Sequence, residues 1–194
     1  VKDIYHDGRF FFETPLSYDE KAVKKVLKVD TFDIIDSLME TLKKVDFNTE
    51  CLKETIHHFA ESKNIGIGKV MMPLRLCLVG GLKGPDVPDI LEILGKEESM
   101  YRVRAWKEYT STIISGLAEV LRKDWIGDDS SEKLEKIIHH FAKTRGFDSE
   151  NVMMLLRIYL VGDILHFAAV PEILEHFNKD ESLRTIDEAL KKNF

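Results

Sequence analysis

The chain has 194 residues, of which 44% are hydrophobic and 32% charged, a composition typical of a globular protein with one domain or two small ones. Its formal net charge of −6 argues against a sequence-independent nucleic-acid binder, because proteins of that class are usually basic. The charge does not exclude a local site that reads unpaired bases. No apolar run approaches the roughly 18 residues of a membrane span, and the N-terminal residues lack the pattern of a signal peptide. We therefore expect a cytoplasmic protein with no membrane partner.

The first pattern along the chain is the aromatic run Phe10–Phe12, which we expect to pack onto a helical bundle as part of an N-terminal strap, residues 1–17. Apolar residues then recur at the spacing of one helix face, at Phe32, Ile35, Met39 and Leu42. This spacing predicts the first long helix.

The next helix is expected to begin near Asn48 or Thr49, because both residue types are good N-caps. A third helix is predicted over Gly68–Val79, ending at a glycine that suits a left-handed stop. A short helix over Val87–Leu94 follows, and a further helix starts near Lys96. Cys51 and Cys77 lie within these elements without a CxxC motif, which predicts two reduced, inert thiols and no zinc site.

The helix that starts near Lys96 is predicted to continue to Lys123, with Gly116 as the expected place of a bend. Later helices are predicted to start near Asp129 and to span Ser149–Val161. No alternating pattern of β-branched residues indicates a strand, so every predicted element is a helix.

The two halves of the chain repeat one another at a spacing of about 80 residues. About half of the aligned positions are identical in three pairs of segments, namely Leu52–Lys63 with Leu134–Arg145, Asn64–Gly80 with Gly146–Gly162, and Val87–Ser99 with Val170–Ser182. The sequence therefore predicts an all-α fold of tandem duplicated helical bundles. The expected division is the strap 1–17, a first cassette 18–105 and a second, diverged copy 106–194.

No set of residues in the chain has the spacing of a catalytic or metal site. The adjacent pairs His57-His58 and His139-His140 point about 100° apart on a helix, so the two members of a pair cannot face one metal ion. We expect one half-buried and one solvent-facing histidine in each pair. The chain also lacks a P-loop and the GxSxG and GxGxxG motifs, so we predict no catalytic residue and no cofactor in it.

The loop Gly80–Val87 is the remaining candidate site. Gly84 permits close backbone approach, Pro85 stiffens the turn, and the following helix N-terminus offers free N–H groups. With Arg75 on the preceding helix, this loop suits an unstacked base, which needs both hydrogen bonds to its edge and a stacking surface. The alternative is a plain helix connector beside a surface arginine.

The segment MMPLRLCLVGGLKGPDVPDILEILGKEESMYRV, Met71–Val103, resembles the C-terminal anticodon-binding domain of bacterial glutamyl-tRNA synthetases. That family carries a Pro-Leu-Arg…Gly motif, a loop with Gly-Pro and an Ile…Leu-Gly-Lys-Glu segment. Upstream, the stretch FFFETPLSYDEKAVKKVLK, Phe10–Lys28, is similar to the aromatic stretch that precedes the cassette. The resemblance covers about residues 1–108.

The resemblance implies an RNA site made by Arg75, Lys83, Gly84, Pro85 and Val87, which would lie at the anticodon bases of tRNA-Glu. It also implies that the parent enzyme attaches glutamate to tRNA-Glu with ATP and Mg²⁺, and that its catalytic domain is a partner of this region. The His-Ile-Gly-His and Lys-Met-Ser-Lys-Ser signatures of that domain are missing here, so we expect no aminoacylation by this chain alone.

The second copy departs from the family because it lacks the Lys-Gly-Pro loop, although it keeps Arg157. One anticodon cannot occupy two equivalent sites, so we predict that this copy is not an anticodon reader of the same kind. Arg157, His166 and Phe167 are expected to form a secondary contact, with nucleotides elsewhere on the tRNA or with a protein partner. Burial of Phe167 in the core is the alternative.

We therefore hypothesise that the chain is the tRNA-binding, anticodon-recognition C-terminal region of a glutamyl-tRNA synthetase. The alternative hypothesis is a duplicated helical protein–protein interaction module derived from that domain, which the net charge of −6 and the diverged second loop favour somewhat.

Overall fold

The computed structural model describes residues 11–28, 30–127, 130–161 and 168–192. Within these ranges every regular element is a helix and none is a strand, which confirms the all-α prediction. The α-helices in chain order are α1 Glu20–Val26, α2 Thr31–Leu42, α3 Thr49–Ser62, α4 Gly68–Val79, α5 Val87–Asp124, α6 Ser131–Arg145, α7 Ser149–Val161 and α8 Val170–Lys192. The chain divides into two compact units, Val1–Trp106 and Lys107–Phe194.

The first unit is built around the apolar face of α2, which packs against α3 and α4, while α1 packs against α4. The side chains of Ile35, Leu38 and Leu42 are fully buried at the spacing of one helix face. Trp106, also fully buried, stacks on Phe32 with ring centroids 5.2 Å apart. These buried side chains form the core of the first unit, where α2 packs against α3 and α4.

The second unit packs α6, α7 and α8 against one another. Its buried residues on α6 fall at positions that match the buried residues of α3: Leu134, Ile138, Phe141 and Ala142 correspond to Leu52, Ile56, Phe59 and Ala60. The repeated sequence pattern therefore corresponds to a repeated core face.

The predicted helix boundaries agree with the structure where both can be compared. Asn48 caps α3 because its side-chain oxygen accepts a hydrogen bond from the Cys51 N–H at 2.9 Å. Helix α4 ends at Gly80, whose φ of 75° lies in the left-handed region. Helix α6 begins at Ser131 after Ser130, whereas Asp129, the residue near which a start was predicted, lies outside the described residues.

Helix α5 is interrupted at Gly95, which has φ 75° and ψ 173°. This break separates the short helix from the long one as predicted, and the bend expected at Gly116 stays a prediction. Gly116 allows close packing, because a Cβ at this position would lie 3.4 Å from the ring of Phe141.

The same kink recurs in α8 at Asn178, with φ 59° and ψ 171°. In each unit the lysine after the kink donates to a carbonyl near the end of an earlier helix, Lys96 to Lys43 O and Lys179 to Arg122 O, both at 2.8 Å. The two copies therefore share their kinks and the hydrogen bonds that support them.

The aromatic run near the N-terminus differs from expectation. Phe12 is 83% exposed, so the prediction that it packs onto the bundle is wrong for this residue, and Phe10 lies outside the described residues. The hydrophobic character of a side chain alone does not ensure a partner surface. In the described part of the chain, no helix combines the length and the apolar character needed to cross a membrane.

Candidate nucleic-acid interface

The loop Gly80–Val87 connects α4 to α5 and presents a short exposed stretch. Lys83, Gly84, Pro85 and Asp86 are exposed, whereas the side chain of Val87 is only 1% exposed. The φ of 130° at Gly84 lies in a region that L side chains rarely adopt, so the sharp course of the chain here depends on glycine. Val87, predicted as an RNA contact, can therefore offer a ligand little beyond its backbone.

The beginning of the loop rests on the segment that precedes α1. The Asp19 N–H donates to the Gly80 carbonyl at 2.8 Å. A Cβ at Gly80 would lie 2.9 Å from the Ser17 carbonyl oxygen and 3.2 Å from the Pro15 Cβ. This contact explains why a residue without a side chain is needed at the end of α4.

Arg75 fastens the far end of the loop to α4. Its Nη1 donates to the carbonyls of Gly84, at 2.8 Å, and of Pro85. Its Nη2 lies 3.9 Å from the Asp86 Oδ1, and the side chain is only 15% exposed. The guanidinium therefore holds the loop in shape, a use for which its planar fork of donors is well suited.

Arg102, on α5, supports the near end of the same loop. It is 1% exposed, and its Nη1 donates to the Leu78 carbonyl at 2.8 Å, one of the last carbonyls of α4. Its Nε donates to Glu98 Oε1 at 2.6 Å, which compensates the buried charge. Two arginines thus fix the two ends of the connection.

The second copy retains the arginine contact although its loop sequence differs. Arg157 Nη2 donates to the Ala168 carbonyl at 2.7 Å, and Ala168 is the counterpart of Pro85. The other residues expected there, His166 and Phe167, lie outside the described residues. The presence of this arginine in both copies, despite diverged loops, was a sequence signal for a structural role.

A groove of about 440 Å³ lies beside the exposed loop. It is lined by Asp19, Lys21, Ala22 and Lys25 from the start of α1 and by the consecutive residues Val79–Lys83. Three of its residues are lysines, and the carboxylate of Asp19 already accepts the Ala22 N–H at 2.7 Å as the cap of α1. Sequence reasoning missed Lys21 and Lys25, although their i, i+4 spacing places them on one helix face.

The paired histidines do not form a site. His57, His58, His139 and His140 are all exposed, so the expectation of one half-buried member in each pair is wrong. The reason is that the core face of each helix is filled by its aliphatic and phenylalanine side chains, and both histidines fall outside that face. Among the described residues, no group of three or more His, Cys, Asp or Glu side chains is arranged to hold a metal ion.

The two cysteines are free thiols. Burial raises the pKa of the Cys77 thiol well above its usual range, so this side chain stays protonated and is a poor nucleophile at neutral pH.

Comparison with known proteins relates both halves of the chain to one family. The sequence profile of the anticodon-binding domain matches residues 1–107 and again residues 104–190. The chain is 47% identical over 105 residues to the glutamate–tRNA ligase of Christiangramia forsetii and 44% identical over 105 residues to that of Flavobacterium johnsoniae, in each case 54% of this chain and 21% of the relative.

A solved structure gives the same relationship. The glutamate–tRNA ligase of Elizabethkingia meningosepticum, in complex with its amino acid, is 56% identical, with a TM-score of 0.52 over 54% of this chain and 21% of that one. The chain thus spans about one fifth of the length of the relatives it matches.

Proposed function

The chain belongs to the anticodon-binding domain family, and from this premise we propose that it is the tRNA-binding region of a glutamate–tRNA ligase. In this proposal the loop Gly80–Val87 of the first copy contacts the anticodon of tRNA-Glu. The observation that carries the proposal is the exposed Lys83–Asp86 stretch, held in one shape by Arg75.

The chemistry of this loop suits unpaired bases. The exposed ring of Pro85 offers a flat apolar surface, and Lys83 offers a cation beside it. In the first turn of α5, Pro88 has no N–H and the Ile90 N–H already donates to the Asp86 carbonyl, so the N–H groups of Val87 and Asp89 are the backbone donors proposed for base edges. Single-stranded RNA is recognised by this combination of stacking and hydrogen bonds to base edges.

The ligase reaction itself belongs to the proposed parent enzyme. That enzyme would use ATP and Mg²⁺ in a separate catalytic domain, the proposed partner of this region in the cytoplasm. Among the described residues of this chain, no group of three or more His, Cys, Asp or Glu side chains is arranged to hold Mg²⁺. Their proposed contribution is selection and orientation of the tRNA.

The second copy is proposed to serve a different contact. It lacks the Gly-Pro turn of the first copy, and one anticodon cannot fill two sites. Arg157, His166 and Phe167 remain predicted as a secondary contact with the tRNA or with a protein partner. The family match favours RNA binding over the hypothesis of a protein–protein interaction module.

The proposal is tested by fluorescence anisotropy with a labelled anticodon stem–loop of tRNA-Glu. The control RNA has the same stem with the anticodon nucleotides replaced. We expect the chain to bind the cognate RNA more tightly, and Pro85→Ala to reduce that preference by roughly 1 kcal/mol through loss of stacking surface. Equal affinities for the two RNAs would overturn the proposal.

A further inference from the structure

We propose that the groove formed by Lys21, Lys25 and Lys83 binds the ribose–phosphate backbone of the RNA strand next to the anticodon. This inference rests on the proposed function, because it assigns the groove to the same RNA. It concerns phosphate contacts, which set affinity and register, rather than recognition of bases.

The three ammonium groups are available for a ligand. Lys21 and Lys25 lie one turn apart on α1, and all three lysines are exposed. In the described ranges of the chain, none of the three side chains forms an ion pair or hydrogen bond. The single carboxylate of the groove, Asp19, is occupied as the cap of α1.

The position of the groove points to RNA as the occupant. Lys83 lines the groove and also begins the exposed stretch of the loop, so the two surfaces are continuous. In the proposed complex, a strand whose bases meet Gly84 and Pro85 passes its phosphates along these lysines. A lysine ammonium is a compact charge that binds phosphate without demanding a fixed geometry.

The positive lining of this groove contrasts with that of a second groove in the same unit. A second groove, along α3, is lined by three glutamates and one lysine together with Thr49, His57 and His58. That surface repels phosphate, and the whole chain has a net charge of −6. The lysine groove is thus a place where an acidic protein can accept a polyanion.

The test compares two double variants that remove the same charge. Lys21→Ala with Lys25→Ala changes the groove, and Lys44→Ala with Lys53→Ala changes exposed lysines of the same unit outside it. Affinities of the full chain for the cognate and the anticodon-replaced stem–loops are measured by anisotropy at several salt concentrations. Thermal melts verify that both variants remain folded.

We expect the groove variant, which lacks two lysines, to bind both RNAs roughly tenfold more weakly and the slope of log affinity against log salt to fall by about 1.5 to 2. The ratio of the two affinities should stay unchanged, and Lys21→Arg with Lys25→Arg should restore binding. The control pair should have a small effect.

Four results would overturn the inference. Equal losses of RNA affinity in the two double variants would indicate that binding depends on the overall charge and not on the groove. A loss confined to the cognate RNA would indicate base recognition by the lysines. Unchanged binding would remove the groove from the interface. Failure of the unmodified chain to bind either RNA would overturn the proposed function as well, which separates the two claims.

Discussion

At the scale of single residues, Arg75 donates to the backbone of its own loop rather than pointing freely into solvent. Its effect on a bound RNA therefore acts through the shape of the loop, and Arg75 is a positioning residue in this account. Arg157 makes the matching hydrogen bond in the second copy, which has a different loop. The pair offers a direct comparison of one contact in two settings.

We predict that Arg75→Ala weakens binding of tRNA-Glu by roughly 1–3 kcal/mol, in the range for loss of a base contact, because the loop loses its shape. Arg157→Ala should have a much smaller effect on affinity. Both variants should lower the free energy of unfolding by about 1 kcal/mol, since each loses hydrogen bonds to carbonyls. Filter-binding titrations and urea denaturation measure the two quantities, and comparable losses of affinity would contradict the prediction.

The sequence predicted the position of Arg75 but not its hydrogen bonds to the loop carbonyls. The spacing placed Arg75 on the helix before the loop, but spacing does not determine which acceptors a long, flexible side chain reaches. Val87 is a similar case, because the family resemblance implied an RNA contact whereas its side chain is buried in the core. Lys21 and Lys25 were missed because their proximity to the loop arises only when α1 packs against α4.

At the scale of helices, the two copies keep the same kink although the residue at the kink differs, Gly95 in the first copy and Asn178 in the second. Both residues combine a positive φ with a ψ near 170°, a region that is essentially restricted to glycine. At Gly95 no atom beyond the chain neighbours and the local helix backbone lies within 4 Å of the position of a Cβ, so backbone strain is what opposes a side chain there. Asn178 carries that strain, although its side-chain oxygen accepts the Glu181 N–H at 3.2 Å.

Opposite substitutions at these two positions should have opposite effects on stability. Asn178→Gly is expected to stabilise the second unit by about 1 kcal/mol, because relief of strain exceeds the few tenths lost with the cap. Gly95→Ala is expected to destabilise the first unit by about 1–3 kcal/mol. Differential scanning calorimetry measures both changes, and a lowered melting temperature for Asn178→Gly would refute the strain argument.

Helices were predicted more successfully than the burial of individual side chains. Caps such as Asn48 and Gly80 act locally, so the sequence specifies them directly. The seven-residue helix α1 was not predicted, since so short an element depends on packing rather than on its own periodicity. Phe12 and the paired histidines were misjudged because exposure depends on which surfaces are already filled.

At the scale of the whole molecule, the duplication and the net charge both bear on where RNA binds. The family profile covers both copies, yet only the first presents the Lys-Gly-Pro loop that matches the proposed anticodon contact. The net charge of −6 is compatible with RNA binding because the proposed contacts are confined to one small surface. Binding should therefore weaken as salt rises, through release of few counterions.

The measurement that tests the central claim most directly is hydrogen–deuterium exchange of the full chain with and without the anticodon stem–loop of tRNA-Glu. The account predicts slower exchange of the amides in Gly80–Val87 when RNA is bound, and no change in the matching segment of the second copy, residues 162–170. Protection confined to the second copy, or no protection of Gly80–Val87 while RNA is bound, would contradict it.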